Sequence, residues 1–462
     1  MGANDKSFLT ENISKLLLKF AIPAILSSLV YELYNTVDTV FAGRYVGTEA
    51  IGAVTVAYPI QKLMIALGLL IASGTLAYAA RAMGEKNTKE LKNVIVNSLM
   101  LTLISLITVS VLIYFFRKPV IHAIGASSAI YALADKYVSI LLIGGVFQAL
   151  AIVACYIMIS FGKARIILYT NLIGISLDIV FSYILVVAFG MGLIGSAVAN
   201  ITAQVISFIF ALFMFIKTNN QFKIKFSSRL TLKTVNKNII WEIITVGFST
   251  FIIEMVDAFV GAVLNNILHP IGGDSAIITI GIVTKALMIM FIAIIGISSG
   301  MQPIISYNFG AGNYNRVRKI LKCSIKYIII ISVVFWVVFM KYSYPIIGFF
   351  LKDKALLAQT VSAFRTCTLL VPLLGIYYVT IYYYQAIGEA RKSFLLSIYR
   401  EIVIFIPLAT LFIKIFGMKG AFMAYPVGDV VVILTSIHFI RKAFKEKFEE
   451  EKMPRHVVSK SI

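Results

Sequence analysis

Twelve apolar segments, each long enough to cross a bilayer as a helix, follow one another along this chain with short polar connections between them. Their expected limits are 14–41, 52–80, 93–116, 131–159, 165–188, 193–216, 239–266, 277–300, 320–347, 356–386, 393–416 and 420–441. About 20 apolar residues span the hydrocarbon core as a helix. Inside it every backbone polar group must be bonded within the protein, which leaves helices as the form such segments take. The expected fold class is an all-α polytopic membrane protein with twelve transmembrane helices. At 60% hydrophobic and 14% charged residues, 462 residues are too apolar for a soluble domain.

Comparing the chain with itself at an offset of 226 brings matching residues into line without gaps. Gly47 meets Gly273, Ala50 meets Ala276, Met64 meets Met290, and Ser73-Gly74 meets Ser299-Gly300. Further on, Gly84 and Asn87 meet Gly310 and Asn313, and Gly162, Ala164 and Arg165 meet Gly388, Ala390 and Arg391. Small residues are common in membrane helices, but one constant offset across four segments points to a duplicated six-helix unit. An even number of spans makes the copies parallel, related by an axis along the membrane normal. The domains expected are an N-terminal six-helix lobe (1–216), a cytoplasmic linker (217–238), a C-terminal lobe (239–441) and a basic cytoplasmic tail (442–462). Lys and Arg gather in alternate connections: Arg81 to Lys92, Lys163 with Arg165, Lys217 to Lys237, Arg316 to Lys319, Arg391 with Lys392, and the tail. The positive-inside bias then places both termini in the cytoplasm of a multi-pass protein of the cell membrane. The polar first fifteen residues lack a signal-peptide core, so the chain is expected to keep its N-terminus.

The polar residues inside the spans carry the functional argument, because a charge within the bilayer is costly and faces a cavity or a partner. In the first span Leu29, Val30, Leu33, Val37, Val40 and Phe41 share one face, and Tyr31, Glu32, Tyr34, Asn35, Asp38 and Thr39 the other. Asp38 alone could be a helix cap or interfacial anchor. The fifth span adds Asn171, Asp178 and Ser182 on one face, and the sixth adds Ser196, Asn200, Gln204 and Ser207. Asp38, Asp178, Asn35, Asn200 and Ser182 form a candidate site for a coupling proton, or for Na⁺ at Asp38 and Asp178. Two carboxylates in a low-dielectric pocket do not both stay ionised cheaply, so they share a proton or a cation. Plain interhelical hydrogen bonding would explain Ser196, Gln204 and Ser207.

The second half carries a different cluster. Glu254 and Asp257 lie on one stripe of the seventh span and Lys285 lies within the eighth, an expected ion pair that either opens during transport or is static. Arg365, Arg400, Glu401 and Asp429 add charge to the last three spans, and some of them are expected to snorkel toward the interfaces. The tenth span crowds Tyr377, Tyr378, Tyr382, Tyr383 and Tyr384 together, as ring faces for organic cations or as an interfacial belt. The candidate cargo-facing residues are Tyr31, Glu32, Tyr34, Tyr378 and Tyr382.

A net charge of +21 with no basic face or base-reading motif does not suggest nucleic acid. Three scattered cysteines and four dispersed histidines suggest neither a disulfide framework nor a metal site. Without Walker A, HExxH or a nucleophile elbow, the expectation is a non-enzyme with no cofactor beyond a coupling ion.

These residues together resemble the multidrug and toxic-compound extrusion (MATE) family, in a bacterial branch. YNTVDTVFAGRYVGTEAIGAV is similar to that family's first-helix motif, with Asp38 at its aspartate. SSGMQPIISYNFGAGNYNRVRK, ending at Lys319, resembles its helix 8–9 motif, and QAIGEARKSFLLSIYR, from Gln385, its helix 10–11 connection. The resemblance implies two six-helix lobes around a central cleft and alternating access. It also implies export of small organic cations against H⁺ or Na⁺, H⁺ being favoured here. The family's asparagine-then-aspartate pair on the fifth helix corresponds here to Asp178 and Ser182, and its small hydroxyl on the sixth to Asn200. The tenth helix has no acid within its span, against a sodium site in the second lobe. A monomer is expected. The alternatives are a lipid-linked precursor flippase or dedicated metabolite exporter of the same superfamily, and, from another class, a channel.

Overall fold

The structure, a computed structural model, describes residues 3–222, 235–351 and 353–452. Lys223, Lys225, Arg229 and Lys233 of the expected linker lie outside the described residues, as does the tail beyond 452. The six spans of the first half are α1 (Ile13–Val46), α2 (Glu49–Gly84), α3 (Thr88–Phe115), α4 (Ile130–Ser160), α5 (Arg165–Ala188) and α6 (Gly192–Gln221). The second half supplies α7 (Lys237–Gly273), α8 (Ser275–Gly310), α9 (Tyr314–Lys341), α10, α11 (Ala390–Phe416) and α12 (Met418–Phe444). α10 is a pair of segments, Leu356–Cys367 and Val371–Ala386, bent by 50°. Pro372 opens its second segment, where a missing N–H costs no helical bond.

The expected spans therefore stand, and the ninth shows why ends shift. It was expected at 320–347; α9 begins six residues earlier because Asn313 caps it, its side chain accepting from the Arg316 N–H at 3.2 Å. Arg316, Arg318 and Lys319, expected in a connection, lie in its opening turns. A separate short helix, Ser343–Phe350, follows.

The repeated residues sit where the backbone demands them. Asn87 caps α3 as Asn313 caps α9, accepting from the Glu90 N–H at 3.0 Å. Gly162 and Gly388, at φ 84° and 82°, close α4 and α10. In both, the next N–H reaches back five residues: Lys163 to the Met158 carbonyl at 3.0 Å, Glu389 to that of Tyr384 at 2.9 Å. Gly74 and Gly300 are contact points between backbones. A Cβ on Gly74 would lie 2.1 Å from the Ile243 carbonyl oxygen, and one on Gly300 would lie 2.8 Å from the Ala21 backbone.

Those two contacts follow the division of the chain into compact units. One comprises the described residues of Met1–Thr10 and Ile22–Glu254; the other comprises Glu11–Ala21 with the described residues of Met255–Ile462. The opening turns of α7 thus belong with the first half, and those of α1 with the second. The expected boundary at 216–239 differs from this division by the first turns of α7, held by the Gly74 and Gly247 contacts. Arg81, expected as a loop cation, is in the last turn of α2 and bonds Glu242 on α7 at 2.5 Å.

Among the described residues, α1, α5 and α11 leave α geometry for a π-helical stretch: Ala42–Val46, Tyr183–Ala188 and Tyr399–Phe405. Such stretches often mark functional positions.

Gly247 on α7 tests the crossing with α2, since a Cβ there would sit 1.8 Å from the Leu70 carbonyl oxygen. Gly247→Ala is expected to cost about 1–3 kcal/mol by overpacking. Gly261→Ala, whose Cβ meets nothing within 4 Å, is the control. Thermal unfolding in detergent, with a lower Tm for Gly247→Ala alone, is the check.

Candidate functional site

Asp38 sits on α1 one residue before the exposed Thr39 and Val40, so the polar face of this helix ends at Asp38 rather than at Thr39. Only 4% of Asp38 is exposed. On α6 the spacing of Ser196, Asn200, Gln204 and Ser207 puts all four on one buried stripe. Ala197, Ala199 and Ala203 beside them are fully buried and leave room for close neighbours. From that stripe Ser196 donates to Asp38 Oδ1 at 2.7 Å, and the Asn200 amide donates to Oδ2 at 2.9 Å. Tyr137 on α4 donates to the same Oδ2 at 3.1 Å. Asn200 is held in turn by Gln204, whose Nε2 donates to its Oδ1 at 2.7 Å.

All three donors to Asp38 are neutral. The carboxylate is solvated by dipoles, with no cation bonded to it, in a bilayer-spanning helix where an unsolvated charge would be prohibitive. Ser196 thus does more than tie helices together.

Asp178 on α5 is the opposite case. It lies on the buried stripe Ile166, Thr170, Gly174, Asp178, Ser182. It is fully buried, and among the described residues neither carboxyl oxygen has a hydrogen-bond partner; the Ser182 hydroxyl also lacks one. Asp38 and Asp178 are close enough to repel each other when both are charged. The pair accommodates one negative charge on Asp38. A second, on Asp178, would need a cation beside it, whereas a proton bound there leaves Asp178 neutral. Asn171, half-buried on the next face of α5, bonds the Ser27 hydroxyl on α1 at 2.7 Å.

A second polar cluster in the same unit joins α1, α2 and the first turns of α7. Lys62 Nζ lies 2.5 Å from Glu254 Oε2, and Glu32 lies within the field of both. Tyr31 and Tyr58 face Lys62, and Tyr156 on α4 faces Glu254. The partner expected for Glu254 was Lys285; it is Lys62, and Lys285 is exposed. The pairing follows from the path of α7, whose first turns lie in the unit that contains α2. The side chains of Tyr34, Asn35 and Asp257 lie outside the described ones. Four members of these clusters, Lys62, Tyr58, Tyr137 and Tyr156, were not among the residues expected from the sequence. Lys62 was visible as a lone cation inside the second apolar run; Tyr137 offered no signal beyond being a tyrosine in an apolar helix.

In the second unit the tyrosines of α10 are neither a belt nor open ring faces. Tyr377, Tyr378, Tyr382, Tyr383 and Tyr384 are all buried, because the entire helical face of Val371–Ala386 is packed, apart from a few edges. Tyr377 donates to the Leu396 carbonyl at 2.8 Å and Tyr384 to that of Phe439 at 3.1 Å. Tyr378 packs on Phe291 at 5.7 Å. Arg400, Glu401 and Asp429 do not snorkel; they are buried and bonded to one another. Arg365 bonds the Ser343 hydroxyl at 3.0 Å.

With this geometry in hand, known proteins can be set beside it. The sequence model of the family described as MatE matches residues 23–184 and again 249–411, well over half the chain. The two matches start 226 residues apart, the offset of the internal repeat. The multidrug export protein MepA of Staphylococcus saprophyticus is 24% identical over 430 residues, covering 93% of this chain and 94% of that protein. Its namesake from Staphylococcus aureus is 23% identical over 425 residues, covering 92% and 93%. A crystal structure of MATE in the bent conformation superposes with TM-score 0.91 at 21% identity, over 98% of this chain and 100% of that one. The outward-facing conformation of a multidrug resistance MATE family transporter of the MOP superfamily gives 0.88 at 22%, over 95% and 98%.

The Lys62–Glu254 pair makes a quantitative prediction. Removing one member of a fully buried pair costs about 3–5 kcal/mol, and this half-buried pair is expected to cost less. Lys62→Met should lower Tm more than the Lys62→Met/Glu254→Gln double variant, which removes both charges. A double-mutant cycle in detergent measures the coupling, and additive single effects would contradict the pairing.

Proposed function

This chain belongs to the MatE family, and from that premise we propose that it is a proton-coupled antiporter of the cell membrane that exports organic cations by alternating access. The observation that carries the reading is the contrast at the first-unit acids: Asp38 saturated with neutral donors, Asp178 with none. Such a pair is suited to gain and lose a proton at fixed positions. A proton on Asp38 turns one oxygen from acceptor into donor, so that Ser196 or Tyr137 must rotate its hydroxyl to accept, or Asn200, whose N–H can only donate, must separate from it. Those three residues tie α1 to α4 and α6, and the π-helical Ala42–Val46 begins four residues after Asp38. Protonation is thereby linked to how α1 is held.

H⁺ is favoured over Na⁺ on the same geometry. A sodium ion needs a shell of oxygen lone pairs turned toward it, whereas three groups around Asp38 turn hydrogens toward it. A proton needs one lone pair. The cationic cargo is supported by the half-buried acids Glu32 and Glu254 with the rings of Tyr31, Tyr58 and Tyr156. Similar proteins named multidrug export protein support drugs as the cargo. The positive-inside bias supports cytoplasmic termini.

Uptake of ethidium into inside-out vesicles tests this reading, with an imposed proton gradient or an imposed sodium gradient. The proton gradient is expected to drive uptake, and Asp38→Asn or Asp178→Asn to reduce it at least tenfold, roughly the effect of losing 1.4 kcal/mol of coupling. Sodium-driven uptake would reject the ion assignment. No uptake by folded protein under either gradient would reject the antiporter.

A further inference from the structure

The second unit holds a group of charges that the proposed coupling at Asp38 and Asp178 does not use. Arg400 and Glu401 on α11 and Asp429 on α12 are 8%, 8% and 2% exposed. Arg400 Nε donates to Asp429 Oδ1 at 3.1 Å, and its Nη1 is bonded to Glu401. One guanidinium thus faces two carboxylates, and the cluster carries one uncompensated negative charge away from solvent. Buried ion groups persist when their charges are matched, and an unmatched one is strongly destabilising. The mismatch has a location: Asp429 Oδ2 is buried and, among the described residues, has no hydrogen-bond partner.

Among the described residues the surroundings supply no further cation. Phe291 on α8 covers the guanidinium at 5.6 Å, and Tyr378 packs against Phe291. The ionisable groups within the field of Asp429 are Arg400 and Glu401 from α11, Tyr377 from the second segment of α10 and Cys367 from its first, and Tyr378 lies within that of Arg400. The Tyr377 hydroxyl is directed to the Leu396 carbonyl, and the Cys367 thiol to that of Phe422 at 3.8 Å. Only Arg400 is positive.

Helix geometry gives a second, independent observation. Arg400 and Glu401 lie within the π-helical Tyr399–Phe405. The first-unit acids have the same setting, Asp38 just before Ala42–Val46 and Asp178 just before Tyr183–Ala188. A π stretch that relaxes to α geometry rotates the residues on one side of it by about 100° relative to the other, one position of the helix. The bonds of Arg400 to α12 therefore depend on the register of α11.

We propose that the Arg400–Glu401–Asp429 cluster is a second proton-binding site, taking one proton on Asp429 Oδ2 and releasing it in the transport cycle. The proton converts the cluster from one net negative charge to neutrality, with the Arg400 bond to Oδ1 retained. Its departure leaves Glu401 and Asp429 competing for one guanidinium, a state that favours a different register of α11. This inference rests on the proton-coupled reading above and extends it to the second unit.

Proton counting tests it. Ethidium is added to purified, detergent-solubilised full-length protein in weak buffer with a pH indicator, and protons released per ethidium bound are measured for wild type, Asp38→Asn, Asp429→Asn and Glu401→Gln. Asp429→Asn is expected to release about one proton fewer than wild type, and so is Glu401→Gln, which leaves Arg400 matched by Asp429 alone. If Asp429→Asn does not fold, Glu401→Gln decides. Wild-type release from both variants overturns the proposal, and if Asp38→Asn still lowers the count, the coupling at Asp38 survives. A loss in Asp429→Asn with none in Asp38→Asn supports the second site and removes the first. No release from wild type overturns both.

Discussion

A carboxylate carried into a bilayer has to find its solvent inside the protein. Asp38 finds it in a tyrosine, a serine and an asparagine from two other helices, and much of the first unit is arranged to bring these groups together. The stripe on α6 works because alanines flank it, and Gln204 keeps the Asn200 amide turned the right way. The same requirement explains what is unusual about Asp178, a carboxyl enclosed by the fold and given no donor. In the proposed coupling, these satisfied and unsatisfied acids form a pair of states that differ by one small cation. That difference can be coupled to a change in helix packing.

The two halves of the chain share a frame and differ in their charges. Glycines and asparagines recur at the constant offset because they answer to backbone geometry: positive φ at helix ends, N-caps, and crossings where backbones touch. The acids answer to chemistry, and they do not recur. Asp38 corresponds to Leu264, and Asp178 to Ile404. The second unit has instead its own buried charges on α11 and α12. A duplicated scaffold has kept the residues that make the fold and changed those that titrate.

The π-helical stretches connect these themes. Each occurs beside or within a segment carrying a buried acid, in α1, α5 and α11. A wider helical turn alters which residues face a neighbour without breaking the span, a change that hydrocarbon tolerates because the backbone stays bonded within the helix. Charge and helix register are thus placed where each can bias the other.

The number of spans, their approximate limits, the repeat and the family resemblance were all legible in the sequence, because hydrophobic period and glycine position are local or simply additive properties. Asp38, Asp178, Asn200 and Ser196 could be placed on helix faces for the same reason. Which faces meet was decided only by tertiary structure. Tyr137 joined the site because α4 packs beside α6, and Glu254 took Lys62 rather than Lys285 because the first turns of α7 lie with the first half. Arg400, Glu401 and Asp429 looked like ordinary interfacial charges until α11 and α12 enclosed them. A sequence states that a charge must be compensated, and the packing of helices distant along the chain selects its partner.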